Sequence, residues 1–257
     1  MPKVTEEIFE LSAMKSYPKE LYFTGNLELL KRKKISIIGS RKPTKYSREM
    51  TYTLASHLSK SGVCIVSGGA MGIDAIAHQA ATSSNTISVL PCGVDIRYPA
   101  VNKNLLNAIA KDGLLLSQFE NSAKARPYTF VLRNELVVAL GDVLIVGEAE
   151  LNSGSMRSIE FALKMKKEIY VFPQRAGESG ATNELLKKGL ATAIYDIDEF
   201  VAKFSDVNAV EKKDDDFLEY CKTAPLYEEA LQKYPQRVFE AELNGEIVVL
   251  NAVVQIV

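Results

Sequence analysis

Three glycine- and serine-rich turns, each following an apolar segment, are the parts of this 257-residue chain best suited to chemistry. They are Gly39-Ser40-Arg41, Ser67-Gly68-Gly69 and Ser153-Gly154-Ser155. Each precedes a segment with helical spacing, so backbone N–H groups without partners are expected at the positive end of a helix dipole. Such turns bind anions, above all phosphate, and Arg41 adds a guanidinium that suits phosphate oxygens.

A basic and aromatic segment supplies further candidates. Lys124 and Arg126 precede a predicted helix over residues 130–140, which carries Phe130, Arg133 and Asn134. The ring of Phe130 is placed either to stack on a nucleobase or to pack beneath the basic loop. Several anion sites in one chain favour a row of phosphates over a single mononucleotide.

The common nucleotide motifs are missing. The glycines around residue 68 do not match G-x-G-x-x-G, and no G-x-x-x-x-G-K-[ST] loop occurs. Asp74 and His78 lie four residues apart, a spacing that places them on one face of a helix. They form either an acid–base pair or a helix-start carboxylate with a structural histidine. The three cysteines lack the spacing of a metal site or a disulfide framework. We therefore expect neither a metal nor a cofactor.

The elements that position these turns alternate between strand and helix. Predicted strands include 35–38, 63–66, 86–90, 114–117, 142–146, 169–172 and 193–195, with helical patterns between them. This alternation predicts a parallel sheet with helices on both faces, in an extended Rossmann-like three-layer α/β domain. Ligands bind beyond the carboxyl ends of the strands in such sheets, where the turns are expected to converge.

Charge and pattern divide the chain into unequal parts. Residues 1–205 have a net charge of +5 and residues 206–257 a net charge of −6. We predict an N-terminal extension over 1–34, a Rossmann-like domain over 35–204, a linker over 205–216 and a winged-helix-like domain over 217–257. The last part is acidic, which favours protein interaction over DNA binding. No apolar run is long enough to span a bilayer, which predicts a cytoplasmic protein.

Five sequence blocks together resemble the DNA-processing protein A (DprA/Smf) family. They are GSR at 39–41, SGGAMGIDAIAH at 67–78, VLPCGVDIRYPAVN at 89–102, FVLRNELVVAL at 130–140 and SGSM at 153–156. The blocks occur in the family's order, and the resemblance extends over about residues 17–204. It departs from the family pattern at Glu135, where the family has a third basic position.

The resemblance implies a non-enzymatic protein of natural transformation and competence. Family members bind single-stranded DNA during DNA uptake, protect it and help to load the RecA recombinase in DNA recombination, typically as homodimers. Carried over by position, single-strand contacts fall at the predicted residues Ser40, Arg41, Gly68, Gly69, Phe130, Arg133, Asn134, Ser153, Gly154 and Ser155. Lys124 and Arg126 are predicted as further DNA contacts because they lie in the basic loop before the helix over 130–140. There they are expected to compensate for the family's cation that Glu135 replaces.

Two other functions remain open at this stage. One is a nucleotide-hydrolysing, phosphoribohydrolase-like enzyme that uses Asp74 and His78, although its P-G-G-x-G-T-x-x-E motif is absent. The other is a protein adaptor that binds no nucleic acid. Binding of single-stranded DNA that weakens with added salt distinguishes the leading hypothesis from both.

Overall fold

The computed structural model describes residues 2–205, 216–243, 246–250 and 252–256. The chain forms two compact units, residues 1–209 and 210–257. The predicted linker lies outside the described residues except at its two ends. The domain boundaries within each unit therefore stay predictions.

The first unit is built on an eight-stranded sheet. Its strands are β1 Tyr22–Gly25, β2 Lys34–Ile38, β3 Cys64–Ser67, β4 Thr86–Val89, β5 Leu114–Ser117, β6 Leu144–Val146, β7 Ile169–Val171 and β8 Thr192–Ala193. The strand order is β1-β5-β4-β3-β2-β6-β7-β8. Only β1 is antiparallel to its neighbour, and the remaining pairs are parallel. The predicted mostly parallel α/β sheet is confirmed.

Seven helices cover the sheet within the described residues of this unit. They are α1 Lys45–Lys60, α2 Ile73–Ala80, α3 Lys103–Asp112, α4 Pro127–Leu140, α5 Ser155–Lys164, α6 Gly180–Lys187 and α7 Ile197–Phe204. The predicted cap of α1 is present, since Thr44 Oγ1 accepts a hydrogen bond from the Ser47 N–H at 3.2 Å. That bond satisfies one of the free donors at the start of the helix.

The core has one apolar layer on each face of the sheet. On one face, Ile35 and Ile37 of β2 pack with residues of α1, α2 and α7, and α3 extends this layer over β5. On the other face, α4, α5 and α6 pack with the N-terminal segment. The central strands are buried on both sides, which explains their continuous apolar sequence.

Two elements were not predicted. β1 lies within the predicted N-terminal extension and pairs with β5 through Tyr22↔Ser117 to Gly25↔Leu114. α7 follows the last predicted strand and is capped by Asp196, whose side chain accepts from the Glu199 N–H at 2.9 Å. The edge strand has only four residues, so its pairing with a distant strand leaves little local pattern.

The second unit contains three helices followed by a hairpin. These are α8 Asp216–Cys221, α9 Tyr227–Lys233, α10 Pro235–Leu243, β9 Ile247–Leu250 and the antiparallel β10 Val253–Ile256. Its core includes Phe217, Val238 and Val254. The order of elements is the one predicted, and the winged-helix assignment stays a prediction. In neither unit does a described helix have both the length and the apolarity needed to cross a membrane.

Candidate functional site

An open groove of about 430 Å³ lies beyond the carboxyl ends of β2 and β6, which are parallel neighbours in the sheet. The turn after β2, the segment between β6 and α5, and the first half of α4 line it. Eight of the twelve predicted site residues line this groove, namely Ser40, Arg41, Phe130, Arg133, Asn134, Ser153, Gly154 and Ser155. Residues distant in sequence are thus brought to one edge of the sheet, as expected for parallel strands.

The turn after β2 is hydrogen-bonded on both sides. The Ser40 N–H donates to the Glu148 carbonyl at 2.8 Å, and the Ser40 carbonyl accepts from the Ile73 N–H at 3.1 Å. The buried carboxylate of Glu148 also accepts from the N–H and the hydroxyl of Thr44, at 2.8 and 2.9 Å. The backbone of Arg41 is therefore fixed, while its side chain is exposed at the groove.

Gly72 allows this turn to approach the start of α2. Its φ angle is +78°, and a Cβ built on it would lie 2.2 Å from the Ser40 carbonyl oxygen. Any side chain at this position would push the two turns apart. Glycine is therefore required here by close backbone contact as well as by its conformation.

The glycine turn after β3 already binds an anion of the protein itself. The carboxylate of Asp74 accepts from the Ala70 N–H at 3.3 Å and from the Gly68 N–H. Burial raises the pKa of Asp74, and the nearby Arg133 guanidinium opposes that rise. These amides are not free to hold a phosphate, which corrects the expectation of an open anion site. Gly69 is buried, and its carbonyl accepts from the Asn102 amide at 3.0 Å.

Arg133 lines the groove with a side chain that is almost completely buried, at 5% exposure. Its Nη1 donates to the carbonyls of Gly68 and, at 3.4 Å, Val89, and its Nε donates to Asn134 Oδ1 at 3.0 Å. Burial lowers the pKa of Arg133, an effect that the charge of Asp74 opposes. Much of this guanidinium is therefore committed to protein acceptors.

Phe130 lines both the groove and a smaller pocket of about 40 Å³. The Tyr98 ring meets it edge-on, with 5.7 Å between centroids. The guanidinium carbons of Arg41 and Arg133 lie 6.0 and 5.9 Å from its centroid. Gly68 lines the smaller pocket, while Arg41, Phe130 and Arg133 line both cavities, which therefore share an aromatic and cationic wall. A planar, electron-rich group such as a nucleobase suits this wall.

The beginning of α5 forms another part of the groove lining. Ser153, Gly154 and Ser155 line the groove there, together with Arg157 in the first turn of the helix. The buried Ser153 Oγ has no hydrogen-bond partner among the described residues. A helix N-terminus, serine hydroxyls and an arginine together favour an anionic ligand at this end of the groove.

Three of the polar side chains that were singled out from the sequence do not line the groove. Lys124 and Arg126 are exposed in the loop before α4, outside the groove lining. Glu135 points to the N-terminal segment, where its Oε1 accepts from the Lys15 N–H at 3.0 Å. Since Glu135 is buried in that contact, the missing family cation leaves no unpaired acid in the groove.

Asp74 and His78 do not form the acid–base pair considered above. His78 Nδ1 lies 2.7 Å from Thr86 Oγ1, whose hydrogen is donated to the Ile65 carbonyl, so Nδ1 carries the proton. Burial lowers the pKa of His78 to about 3, which keeps the ring neutral. Asp74 binds the glycine turn instead. The two side chains support separate parts of the scaffold, so the acid–base pair on which the hydrolase hypothesis was based is not formed.

Several lining residues were not singled out from the sequence. Tyr98 and Pro91 belong to the loop after β4, and Met71 to the glycine turn. Arg157 and Glu150 flank the Ser153–Ser155 turn. Arg157 could have been predicted from the sequence, because it lies in the first turn of the helix that begins at the candidate turn Ser153–Ser155. Tyr98 could not be placed without the three-dimensional path of its loop.

A family model described as DNA recombination-mediator protein A matches residues 4–205. The DNA processing protein DprA of Streptococcus pneumoniae is 33% identical over 195 residues, which are 74% of this chain and 69% of that protein. The putative DNA processing protein DprA of Mycobacterium tuberculosis is 34% identical over 178 residues, 67% of this chain and 46% of its own length.

A solved structure of DNA processing protein A from Helicobacter pylori, described for its unique single-stranded DNA binding mode, is also similar. It has a TM-score of 0.77 and 43% sequence identity, and the match covers 79% of this chain and 94% of that one. The residues matched by the family model lie in the first unit, which also contains the groove. The chain therefore belongs to the DprA/Smf family of DNA recombination-mediator proteins.

Proposed function

We propose that the groove binds single-stranded DNA without strong sequence preference, and that the protein acts as a recombination mediator in natural transformation. The observation that carries this proposal is the composition of the groove walls. The groove lining presents exposed Arg41 beside the Phe130 ring, and it also includes the start of α5 with Arg157. Cations with a helix N-terminus suit phosphates, and an accessible ring suits unpaired bases.

A single strand fits this arrangement better than a duplex. Bases of a duplex are stacked on one another and are not available to an aromatic side chain, whereas those of a single strand are. The walls hold few groups arranged to read a base edge, so stacking and phosphate contacts carry the binding. The Helicobacter pylori relative, with its described single-stranded DNA binding mode, supports this assignment.

The direct test is a titration of the full chain with a labelled single-stranded oligonucleotide and with its duplex, over a range of salt concentrations. We expect tighter binding of the single strand, with affinity that falls as salt rises because counterions are released. Equal binding of both forms, or affinity that is independent of salt, would refute the proposal. Thymidylate and mixed-sequence strands of equal length test the lack of sequence preference.

Protection of incoming strands, loading of the RecA recombinase, a cytoplasmic site of action and a homodimeric state are proposed with this function. They rest on family membership. RecA loading is tested by measuring recombinase assembly on single-stranded DNA coated with a single-strand binding protein, with and without this chain. Assembly at the same rate in both reactions would refute the mediator role while leaving DNA binding intact.

The second unit is proposed to bind a protein rather than DNA. Its α10, the position of a groove-reading helix in DNA-binding winged-helix modules, carries Glu240 and Glu242 on exposed positions. Arg237 on the same helix pairs with Glu246 at 2.5 Å. An acidic surface of this kind repels a nucleic-acid backbone.

A further inference from the structure

One arginine in the groove lies in an environment unlike that of the others. Arg41 is exposed, and the Arg157 side chain is 64% exposed, whereas Arg133 is 5% exposed. All three line the same groove. A buried guanidinium that touches a ligand cavity either binds the ligand directly or holds the groups that do.

The contacts of Arg133 connect three elements of the binding wall. Nη1 reaches the Gly68 carbonyl in the glycine turn and the Val89 carbonyl at the end of β4, and Nε reaches Asn134 on its own helix. The guanidinium also lies against the Phe130 ring, at 5.9 Å from the centroid. Two of its three nitrogens are therefore committed to the protein.

The glycine turn is shaped around this guanidinium. A Cβ built on Gly68 would lie 1.7 Å from Arg133 Nη1 and 2.9 Å from Asp74 Oδ2. The carbonyl of Gly68 faces Arg133, while its N–H faces the Asp74 carboxylate. The cation and the carboxylate thus hold opposite groups of one peptide segment, and each reduces the cost of burying the other.

We propose that Arg133 is a positioning residue: it holds the Gly68 turn and the Phe130 ring in place for the strand without binding a phosphate itself. This inference rests on the proposed function and refines it, because Arg133 was first predicted as a direct contact. The planar guanidinium fork, in which Nη1 donates to two carbonyls while Nε donates to Asn134, is required at this position, and a single positive charge is not sufficient. Arg41, by contrast, contributes its charge directly.

Two variants separate positioning from phosphate binding. Arg133→Lys keeps the charge but cannot reproduce the fork, so we expect at least a tenfold loss of single-strand affinity with the salt dependence unchanged. Arg133→Gln combined with Asp74→Asn removes both buried charges together, and we expect its slope of log affinity against log salt to equal that of the wild type. Arg41→Gln is the matched control, and its slope should fall by about 0.7, the value for one phosphate contact on a single strand.

Two further measurements exclude a general loss of structure. Hydrogen exchange of the free Arg133→Lys protein should rise in residues 68–73 while its thermal midpoint stays near that of the wild type. In a double-mutant cycle with Phe130→Leu, the two losses of affinity should combine to less than their product, since both act through the same ring. In a cycle of Arg133→Lys with Arg157→Gln, the two fold-losses of single-strand affinity should multiply.

The outcomes are distinct. Wild-type affinity in Arg133→Lys would show that the guanidinium fork is unnecessary, and it would overturn the inference. A slope of log affinity against log salt that is reduced by about 0.7 in the neutral double variant would show a phosphate contact at Arg133, and it would also overturn the inference. Multiplicative losses with Phe130→Leu also overturn it. If the wild-type chain itself fails to bind a single strand, the proposed function is refuted. If the wild type binds a single strand and Arg133→Lys binds it equally well, only the inference about Arg133 is refuted.

Discussion

Replacement of Arg41 by alanine tests the groove most directly. The side chain is exposed, its backbone is fixed by the hydrogen bonds of Ser40, and its guanidinium lies 6.0 Å from the centroid of Phe130. The substitution removes a charge from the groove without disturbing a buried contact. We therefore expect Arg41→Ala to fold as the wild type does and to lose affinity for single-stranded DNA.

The size of the effect follows from one charge-assisted contact. A hydrogen bond to a charged group contributes about 1.5–3 kcal/mol, which corresponds to a loss of about 10- to 150-fold in affinity at low salt. One phosphate contact fewer lowers the slope of log affinity against log salt by about 0.7. Arg41→Lys keeps the charge, so its slope should stay unchanged while its affinity falls by less.

Fluorescence anisotropy with a labelled oligonucleotide, repeated at four or more salt concentrations, measures both quantities. Lys42→Ala is the matched control, because Lys42 is the adjacent exposed cation and does not line the groove. If Arg41→Ala retains the affinity and the slope of the wild type, the groove is not where phosphates bind. A loss of equal size in Lys42→Ala would indicate a diffuse electrostatic effect instead.

Three further predictions concern the scaffold of the site. Gly68→Ala should lower the free energy of unfolding by about 2–4 kcal/mol, since its Cβ would overlap the buried guanidinium, whereas Gly154→Ala, with open space around it, should change stability little. Glu135→Arg should destabilise the fold and leave single-strand affinity no higher, because Glu135 accepts from the Lys15 N–H and not from groove residues. The free energy of unfolding should fall as pH drops from about 6.5 towards 3, by up to about 1.4 kcal/mol per unit, because the unfolded chain protonates His78 while burial holds its folded pKa at about 3.

Urea denaturation measures the three changes in stability, and fluorescence anisotropy measures the single-strand affinity of Glu135→Arg. Equal stability of the two alanine variants would contradict the packing at the glycine turn. A gain of single-strand affinity in Glu135→Arg would show that this position faces the groove. For the acid dependence, His78→Leu should flatten the stability curve between pH 5 and 7, and an unchanged slope in that variant would assign the effect to other groups.

The sequence was informative about the sheet and the turns because both depend on local pattern. Buried parallel strands are continuous apolar runs, and the glycine turns between strand and helix have a composition of their own. The carboxyl-end rule then indicates which turns share an edge. Part of the groove lining was accessible in this way, including Ser40, Arg41 and the Ser153–Ser155 turn.

The direction in which a charged side chain points was not accessible in the same way. Arg133 and Arg41 are both arginines beside predicted turns, yet one is buried against carbonyls and the other is exposed. Glu135 and Arg133 are two residues apart on one helix, so they lie on different faces of it. Only the packing of the N-terminal segment shows that Glu135 is used there.

By itself, the sequence determined the class of fold, the turns that form the groove and the family, because these follow from hydrophobic period and from short motifs in a set order. The tertiary structure decided which groups remain free to bind a ligand. It showed that the amides of the Gly68 turn are occupied by Asp74 and that Arg133 is bound to backbone carbonyls. A hydrogen bond between residues distant in the chain leaves no pattern in local sequence, so this distinction between contact and support emerges only when the chain is folded.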